Sequence, residues 1–319
     1  MDLMIGFYEI LMRKRDIPYT AVSTPSGMHW ECLVMPQALS NAPATFNRCV
    51  TKLLRPVRDF APSYFDDVFV QSRDMDGKTY VEIHGIHVRK VLTLMREHKL
   101  LANLKKYIFA AKEKPLLGCI VGKNGVRPNP EKIKAISDLP VPFDVKELRN
   151  FLILAAYLHK YSLNYAERTV DLFRLLKKNE RWSWSAECPQ SFGVIKKGLV
   201  QSPVLAIADQ DRQFHVVCDT RNFAISCALM QYDSDGVKRV VCYQSRQLLA
   251  AEQNHPVHDK EPIALKYALA NFRVYLLGDR PFIVYIDHAS LHTAVNSPHL
   301  SQRMARWLSF FAEYNLFVE

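Results

Sequence analysis

The sequence predicts an α/β protein of the α+β type, built from more than one folding unit. Short β-prone runs separated by turns fill the first 76 residues. Apolar residues then recur at helical spacing over 80–98, and beyond residue 203 the pattern is three strands, a helix, a strand and a helix. With 319 residues, 49% of them hydrophobic, the chain is long and apolar enough for two or more cores.

The first part of the chain contains a strand, a hairpin and two helices. A strand is predicted over 29–34, and Asn41 can cap a helix that has Pro43 in its first turn and runs to about residue 54. The second helix covers 80–98. Between the helices, Tyr64-Phe65-Asp66-Asp67 is flanked by apolar residues, which predicts a hairpin whose tight turn carries both aspartates.

The second part begins near Pro140, Pro142 and Asp144, which mark a boundary. Asp144 and Glu147 have the spacing of a capping box, so a helix is predicted to start there. A second shift in composition lies near residue 203. The elements predicted after it are strands over 214–219, 225–231 and 240–243, a helix over 257–275, a strand over 282–287 and a helix over 302–313, which together make a mixed sheet.

The chain is basic, with a formal net charge of +10 and a pI near 9.2, and this favours polyanionic partners such as nucleic acid. The most basic stretch is 96–134, which includes Lys105 and Lys106 and has Tyr107 and Phe109 among its charges. Such a stretch is either a solvated face or a surface that contacts a phosphate backbone, and the residues support both interpretations equally.

The seven cysteines are scattered without a C-x-x-C pair, which is typical of reduced thiols in an intracellular protein. No secretion signal and no apolar run near the length of a membrane span is visible in the sequence. We therefore expect an intracellular protein, in the cytoplasm or the nucleus, that does not interact with a membrane.

Acidic residues are the candidates for catalysis in the first part of the chain. Neighbouring carboxylates repel one another, so Asp66 and Asp67 are stable in one turn only in water or against a cation. Two Mg²⁺ or Mn²⁺ ions about 3.5–4 Å apart would satisfy them and drive in-line phosphoryl transfer, with Asp2 as a further carboxylate. Considered alone, the stretch is more simply a solvated Asp-Asp turn. Phe7 is either a core aromatic or a bulky side chain that excludes a 2′-hydroxyl beside a nucleotide sugar.

Three acids in the second part form a comparable set. Asp219 ends the first predicted strand of that part, Glu261 lies in the first turns of the long helix, and Asp287 ends the fourth strand. Acids at the ends of neighbouring strands, with one projecting from a covering helix, can converge on a pair of metal ions. Glu261 alone could be a carboxylate that interacts with the helix dipole, but the three together favour a metal site.

With these acids placed, nearly the whole chain resembles the reverse transcriptase–ribonuclease H segment of long-terminal-repeat retrotransposon polyproteins, the gypsy-like group in particular. Asp2-Leu3 followed by Gly6-Phe7-Tyr8 is similar to the first metal-binding motif and nucleotide-sugar gate of that family. The long motif from Leu39 to Phe46 resembles the stretch that packs under template and nucleotide. The remaining motifs are Tyr64-Phe65-Asp66-Asp67, the primer-grip-like Leu116-Leu117-Gly118, Tyr243-Gln244-Ser245-Arg246, Asp259-Lys260-Glu261 and Asp287-His288.

The resemblance implies a polymerase palm without its fingers over 1–76, a thumb-like region over 77–140 and a connection over 141–202. It implies a ribonuclease H-like domain over 203–319 that is incomplete at its C-terminal end. The implied activities are RNA-directed DNA synthesis and cleavage of RNA in RNA–DNA hybrids by two-metal phosphoryl transfer.

The resemblance also implies roles for individual residues. Asp2, Asp66 and Asp67 would be catalytic metal ligands of the polymerase, and Asp219, Glu261 and Asp287 those of the nuclease. Phe7 and Gln37 are expected at the nucleotide. Side chains expected at the nucleic acid are Tyr64, Lys105 and Lys106, together with the backbone at Gly118. The expected cofactor is Mg²⁺ or Mn²⁺, and the expected partners are an RNA template, a DNA primer, an RNA–DNA hybrid and deoxynucleoside triphosphates.

Several positions depart from the pattern of the family. Gln37-Ala38 stands where members usually have Phe-Gly, Ile153 where a glycine is expected, and Thr220-Arg221 where Ala-Ser is expected. Both catalytic units look clipped at one end. The alternative is therefore a catalytically impaired, nucleic-acid-binding fragment of a decaying element, or a relic that only folds.

Overall fold

The computed structural model describes residues 1, 3, 6–178, 180–255, 257–286 and 302–319, without the side chains of 257–259. Within these ranges the chain forms two compact units, Met1–Ala111 (unit 1) and Lys112–Glu319 (unit 2). Both combine helices with sheets, which confirms the predicted fold class. The boundary between the units lies inside the predicted 77–140 region, and the domain borders at 76, 140 and 202 stay predictions.

Unit 1 contains two long helices and two short antiparallel hairpins. The helices are α1 (Ala42–Leu53) and α2 (Tyr80–Glu97), the hairpins are β1 (Val22–Ser23) with β2 (His29–Trp30) and β3 (Ser63–Tyr64) with β4 (Asp67–Val68), and 3-10 turns cover Gly6–Glu9, Ile17–Thr20, Arg55–Val57 and Leu104–Lys106. Both helices are confirmed. The strand predicted over 29–34 is too long, because beyond Trp30 only Val34 pairs again, in an isolated bridge with Leu11.

The ends and faces of the two helices follow from local chemistry. Thr79 and Glu82 form a capping box at the start of α2, in which each side chain accepts the backbone N–H of the other. Pro43 lies in the first turn of α1, where its missing N–H costs nothing. The buried faces of both helices form one core with the β3–β4 hairpin, and its members include Phe46, Val50, Val91, Met95 and Val68.

The N-terminal part of unit 2 joins a three-stranded antiparallel sheet to a helical cluster. Its elements are β5 (Glu113–Leu116), β6 (Cys119–Gly122), β7 (Gly125–Pro128), α3 (Pro130–Asp138), α4 (Val145–Tyr157), α5 (Tyr165–Arg168), α6 (Val170–Arg174) and α7 (Glu187–Val200). As predicted, Asp144 caps α4 by accepting the N–H of Glu147 at 2.7 Å. Glu147 itself accepts the N–H of Phe143 at 3.2 Å, one residue earlier than a capping box requires.

The C-terminal part of unit 2 is a five-stranded mixed sheet in the order β10-β9-β8-β11-β12. Its strands are β8 (Phe214–Thr220), β9 (Ala224–Tyr232), β10 (Lys238–Gln247), β11 (Phe282–Tyr285) and β12 (Leu316–Val318), and its helices are α8 (Ala250–Gln253), α9 (Val257–Asn271), α10 (Arg273–Leu276) and α11 (Gln302–Phe311). The β8–β9 and β9–β10 pairs are antiparallel, whereas β11 is parallel to both β8 and β12. Helix α9 packs on β8 and β9 over a core that includes Val216, Leu229, Leu265, Ala268 and Val284.

Several features of unit 2 differ from the sequence-based expectation. The sequence does not predict the β5–β7 sheet, whose strands have four residues each and lie in the basic stretch, nor does it predict β12. The helix predicted over 257–275 ends at Asn271, whose side chain donates to the carbonyl of Tyr267 at 2.8 Å and so competes with the helical backbone.

In the ranges that the structure describes, no helix is both long enough and apolar enough to cross a membrane.

Gly6 provides a test of the packing in unit 1. A Cβ at this buried position would lie 2.5 and 2.6 Å from two atoms of the Phe46 ring, so Gly6→Ala is expected to destabilise unit 1 by about 1–3 kcal/mol. Amide hydrogen exchange of α1 in the full chain should accelerate accordingly. Gly85→Ala is the matched control, because a Cβ there meets nothing within 4 Å and its position inside α2 predicts a gain of about 0.5–1 kcal/mol. Unchanged exchange of α1 in Gly6→Ala would mean that this contact carries no strain.

Candidate active sites

The β3–β4 hairpin places the two aspartates of unit 1 differently. Tyr64 pairs with Asp67, so the loop has only two residues, Phe65 and Asp66. The prediction that the turn carries both aspartates is therefore wrong for Asp67, which is the first residue of β4. Asp66 is exposed at the tip of the hairpin, and Asp67 is half-buried beside the fully buried Val68.

Phe65 adopts an uncommon backbone conformation at the tip. Its φ of +51° lies in the left-handed region, which costs a bulky residue about 1–3 kcal/mol, and interactions of the surrounding structure must offset this cost. Its ring packs against the core of unit 1 and contacts the Tyr64 ring edge-on, with centroids 4.8 Å apart. Packing of the Phe65 ring thus holds the backbone that presents Asp66.

The N-terminal residues are joined to this hairpin by backbone hydrogen bonds. The Met1 and Val68 backbones bond in both directions at 2.7 and 2.8 Å, and the N–H of Leu3 donates to the carbonyl of Asp66 at 2.8 Å. The backbone on either side of position 2 is therefore fixed to the segment that contains the two aspartates. Asp2 itself lies outside the described residues.

Phe7 has a structural contact in addition to its predicted role at the nucleotide. Its half-buried ring stacks on Phe46 with centroids 4.7 Å apart and planes 22° apart. In the same 3-10 turn, the Glu9 carboxylate accepts the N–H of Leu101 at 2.8 Å, and burial raises the pKa of Glu9. Gln37 is exposed in a turn. The partial exposure of Phe7 keeps both of its interpretations open.

The residues expected to contact nucleic acid lie in both units. Tyr64, Lys105 and Lys106 are exposed in unit 1, the two lysines in the 3-10 turn Leu104–Lys106. Gly118 belongs to unit 2, in the turn between β5 and β6, and has a φ of +75°. A Cβ at Gly118 would collide with the hydroxyl of Tyr157, which donates to the carbonyl of Leu117. Gly118 therefore has a structural reason to be glycine, apart from any contact with nucleic acid.

Asp219 of unit 2 carries an ion pair that the sequence analysis does not anticipate. It lies in β8 with half of its side chain exposed, and its Oδ2 is 3.1 Å from Nε of Arg221. Nη1 of Arg221 is also 3.0 and 3.4 Å from the two carboxylate oxygens of Glu167 in α5. The hydrogen bond to Asp219 and the attraction of Glu167 raise the pKa of Arg221, whose guanidinium is charged throughout the physiological pH range. The sequence marks Arg221 as a departure from the family pattern but gives no sign of Glu167.

Glu261 is half-buried in α9, and the residue before it, Lys260, contacts β8. The hydroxyl of Thr220, next to Asp219, donates to the carbonyl of Lys260, next to Glu261, at 3.5 Å. The structure thus brings the end of β8 and the first turns of α9 together. Asp287 lies outside the described residues, and the last described pair of the parallel β8–β11 ladder joins Val217 to Tyr285.

The donor set of both sites suits Mg²⁺ or Mn²⁺, because these ions prefer carboxylate oxygens. Among the described residues, which lack Asp2 and Asp287, no group of three or more acidic, histidine or cysteine side chains has the arrangement of a metal site. The described acids therefore provide only part of each predicted set. The guanidinium of Arg221 opposes a cation at Asp219.

Comparisons with known proteins decide the family. Residues 1–121 match the family model "Reverse transcriptase (RNA-dependent DNA polymerase)", and residues 209–314 match "RNase H-like domain found in reverse transcriptase". The Pol polyprotein of transposon opus from Drosophila melanogaster is 36% identical over 99% of the chain, and that of transposon 297 from the same organism is 34% identical over 100%. The chain belongs to the reverse transcriptase–ribonuclease H segment of LTR retrotransposon polyproteins.

This reverse transcriptase–ribonuclease H chain spans about a third or less of the curated relatives that it matches. It covers 32% of the opus polyprotein, 29% of the 297 polyprotein and 23% of the Tf2-3 polyprotein of Schizosaccharomyces pombe, to which it is 30% identical. Solved structures of a foamy viral protease-reverse transcriptase share its fold. One, in complex with dsDNA, has a TM-score of 0.81 at 22% identity and covers 100% of this chain and 66% of that one. Another, in complex with an RNA/DNA hybrid, has a TM-score of 0.81 at 23% identity and covers 99% of this chain and 43% of that one.

Arg246 and Glu252 provide a pH-dependent test of how the segment before α9 is held. Their side chains form two hydrogen bonds, of 2.6 and 2.9 Å, and the Arg246 bond holds the pKa of Glu252 below its usual value. The stabilisation is therefore complete above the unfolded pKa, near the usual 4.5, and is lost as the pH falls through the folded pKa.

Glu252→Gln is expected to lower the stability of unit 2 by about 1–2 kcal/mol at pH 7, with a difference that vanishes in acid. Thermal unfolding of the full chain between neutral and acidic pH measures this difference. Glu180→Gln removes an exposed carboxylate and serves as the control. A difference between Glu252→Gln and wild type that persists undiminished in acid would contradict the assignment.

Proposed function

We propose that the chain performs RNA-directed DNA synthesis in unit 1 and cleaves the RNA of RNA–DNA hybrids in unit 2. The observation that carries this proposal is the hairpin of unit 1, where Asp66 and Asp67 lie on a segment bonded to residues 1 and 3. That backbone arrangement supports Asp2 as a third carboxylate of the same site. Membership of the family supports the pairing of the two activities in one chain.

In the proposed polymerase site, Asp2, Asp66 and Asp67 hold Mg²⁺ or Mn²⁺. The ions would supply activation of the primer 3′-hydroxyl and stabilisation of the leaving pyrophosphate. The exposure of Asp66 leaves its carboxylate accessible to a ligand from solvent, while the buried Val68 and the pairing with Met1 keep the hairpin in place. Phe7 and Gln37 would contact the nucleotide, with Phe7 excluding a 2′-hydroxyl.

In the proposed nuclease site, Asp219, Glu261 and Asp287 would hold the metal ions, which would supply activation of the water that attacks the RNA phosphate. The contact between Thr220 and Lys260 supports this set, because it joins the strand of Asp219 to the helix of Glu261. The parallel pairing of Val217 with Tyr285 supports it too, because Asp219 and Asp287 each follow two residues later in the sequence.

The proposed partners are an RNA template, a DNA primer, the RNA–DNA hybrid and deoxynucleoside triphosphates, in an intracellular compartment. The net charge of +10 favours polyanions, and the exposed Tyr64, Lys105 and Lys106 are proposed contacts to them. Gly118 is proposed to approach the primer with its backbone. The foamy viral relatives with the same fold were solved with dsDNA and with an RNA/DNA hybrid, which supports the same class of partner.

A second candidate function is nucleic-acid binding without catalysis. The ion pair between Arg221 and Asp219 favours it, because a guanidinium already neutralises one of the proposed metal ligands. Absence of Mg²⁺-dependent primer extension and of hybrid cleavage, together with hybrid binding that weakens steeply with salt, would select this function.

Separate substitutions in the two units test the main proposal. Asp66→Asn is expected to lower Mg²⁺-dependent primer extension on an RNA template by a hundredfold or more, because loss of a metal ligand removes several kcal/mol of transition-state stabilisation. Asp219→Asn should lower hybrid cleavage to a similar extent and leave extension unchanged. The matched controls Asp59→Asn and Asp235→Asn change exposed aspartates elsewhere in the same units. Extension that survives in Asp66→Asn would remove the basis of the polymerase assignment.

Phe7→Ala separates the two interpretations of Phe7. If the ring excludes a 2′-hydroxyl, the ratio of ribonucleotide to deoxyribonucleotide incorporation should be at least about tenfold higher in the variant than in wild type, equivalent to about 1.4 kcal/mol. If the ring serves only the stack on Phe46, stability falls but this ratio stays constant. The ratio is measured by single-nucleotide extension with each substrate in turn, and Tyr8→Ala, which truncates the exposed neighbouring ring, is the control.

A further inference from the structure

We propose that Arg221 is a built-in counter-ion of the nuclease site, which competes with divalent metal for Asp219 and is steadied by Glu167. The inference rests on the proposed function, since it takes Asp219 as a metal ligand. It deepens that proposal by assigning control of metal affinity to two residues outside the acidic set.

The geometry is that of one guanidinium shared between two carboxylates. Nε of Arg221 lies 3.1 Å from Oδ2 of Asp219, and Nη1 lies 3.0 and 3.4 Å from the two oxygens of Glu167. The backbone of Arg221 is fixed as well, because its N–H donates to the carbonyl of Ala224 at 2.9 Å across the β8–β9 turn. The side chain therefore reaches both acids from an anchored position.

A metal ion at Asp219 would have to displace this contact at least in part. Mg²⁺ requires carboxylate oxygens at about 2.0–2.1 Å and repels a guanidinium that bonds to the same oxygen. The side chains of Arg221 and Asp219 are 54% and 51% exposed, so water screens the repulsion and the competition is modest in size. Arg221 accordingly tunes the affinity of the site and does not block it.

Glu167 gives Arg221 a second partner when Asp219 binds metal. It lies in α5, whose position is set by the sheet of unit 2. The N–H of Asn164 donates to the hydroxyl of Ser226 at 3.3 Å, and that of Ala166 donates to the hydroxyl of Ser245 at 3.0 Å. Because α5 is held on the sheet by these bonds, Glu167 stays within reach of Arg221. A residue of the predicted connection thereby influences a site of the ribonuclease H-like domain.

Manganese binding tests the inference without reference to activity. Mn²⁺ is titrated into the full chain carrying Asp2→Asn, Asp66→Asn and Asp67→Asn, so that the proposed metal ligands of unit 1 do not contribute, and free Mn²⁺ is followed by electron paramagnetic resonance. Arg221→Ser is expected to lower the Kd about two- to fivefold, the range for removal of one exposed ion pair, with a gain that shrinks as salt is raised. Glu167→Gln should raise the Kd, and this effect should largely disappear in the Arg221→Ser background.

Arg239→Ser is the matched control. Nε of Arg239 lies 2.8 Å from Oδ2 of Asp233, the arginine side chain is 58% exposed, and the substitution changes the net charge equally. Equal changes of Kd in Arg221→Ser and Arg239→Ser would overturn the inference in favour of a simple net-charge effect.

Asp219→Asn separates failure of this inference from failure of the proposed function. If Asp219→Asn abolishes Mn²⁺ binding but Arg221→Ser leaves the Kd unchanged, only the inference about Arg221 is overturned. If Asp219→Asn leaves the Mn²⁺ binding unchanged, the assignment of Asp219 as a metal ligand fails, and the inference fails with it.

Discussion

The register of the β3–β4 hairpin is the constraint on which the proposed polymerase site depends. A shift by one residue would turn every side chain of β4 to the opposite face. Val68 would then leave the core of unit 1 and Asp67 would enter it, at the cost of a buried charge. The burial of Val68 and its backbone bonds to Met1 therefore determine on which face of the hairpin the acids lie.

The same principle operates at β8 in unit 2. Val216 is fully buried and Cys218 packs against the same core, so alternation along the strand leaves Asp219 on the other face, where it is exposed. Thr220 then points back towards α9 and bonds to Lys260. In both units an apolar neighbour in the strand determines on which face the acid lies. The acid thereby stays accessible to water or to a cation.

The sequence predicts the parts of the fold that local chemistry determines. The helix start at Asp144 depends on a neighbour three residues away and is confirmed, whereas the Asn41 side chain makes no hydrogen bond to the start of α1. The β5–β7 sheet is missed because its four-residue strands carry charges, and because the first turn uses a leucine, Leu117, at a φ of +46° instead of the usual asparagine or glycine. Strand β12 is missed because its pairing with β11 joins residues more than thirty positions apart.

In the candidate sites, too, local features can be predicted from the sequence and long-range contacts cannot. Adjacent acids and motif spacing are visible in the sequence, so Asp66, Asp67, Asp219 and Glu261 can be named before the structure is known. The contact between Arg221 and Glu167 spans 54 positions and follows from the docking of α5 on the sheet, which no local pattern encodes.

The described aspartates of the two proposed sites differ in their immediate electrostatic surroundings. Within the described part of unit 1, neither Asp66 nor Asp67 forms an ion pair with a lysine or arginine, so their mutual repulsion is relieved only by water or by an added cation. Asp219 already has a cation from its own chain. At the proposed sites, a divalent ion would meet unpaired carboxylates in unit 1 but would have to displace a bonded guanidinium, at least in part, in unit 2. Two sites with the same kind of ligand can therefore differ in metal affinity because of a single neighbouring arginine.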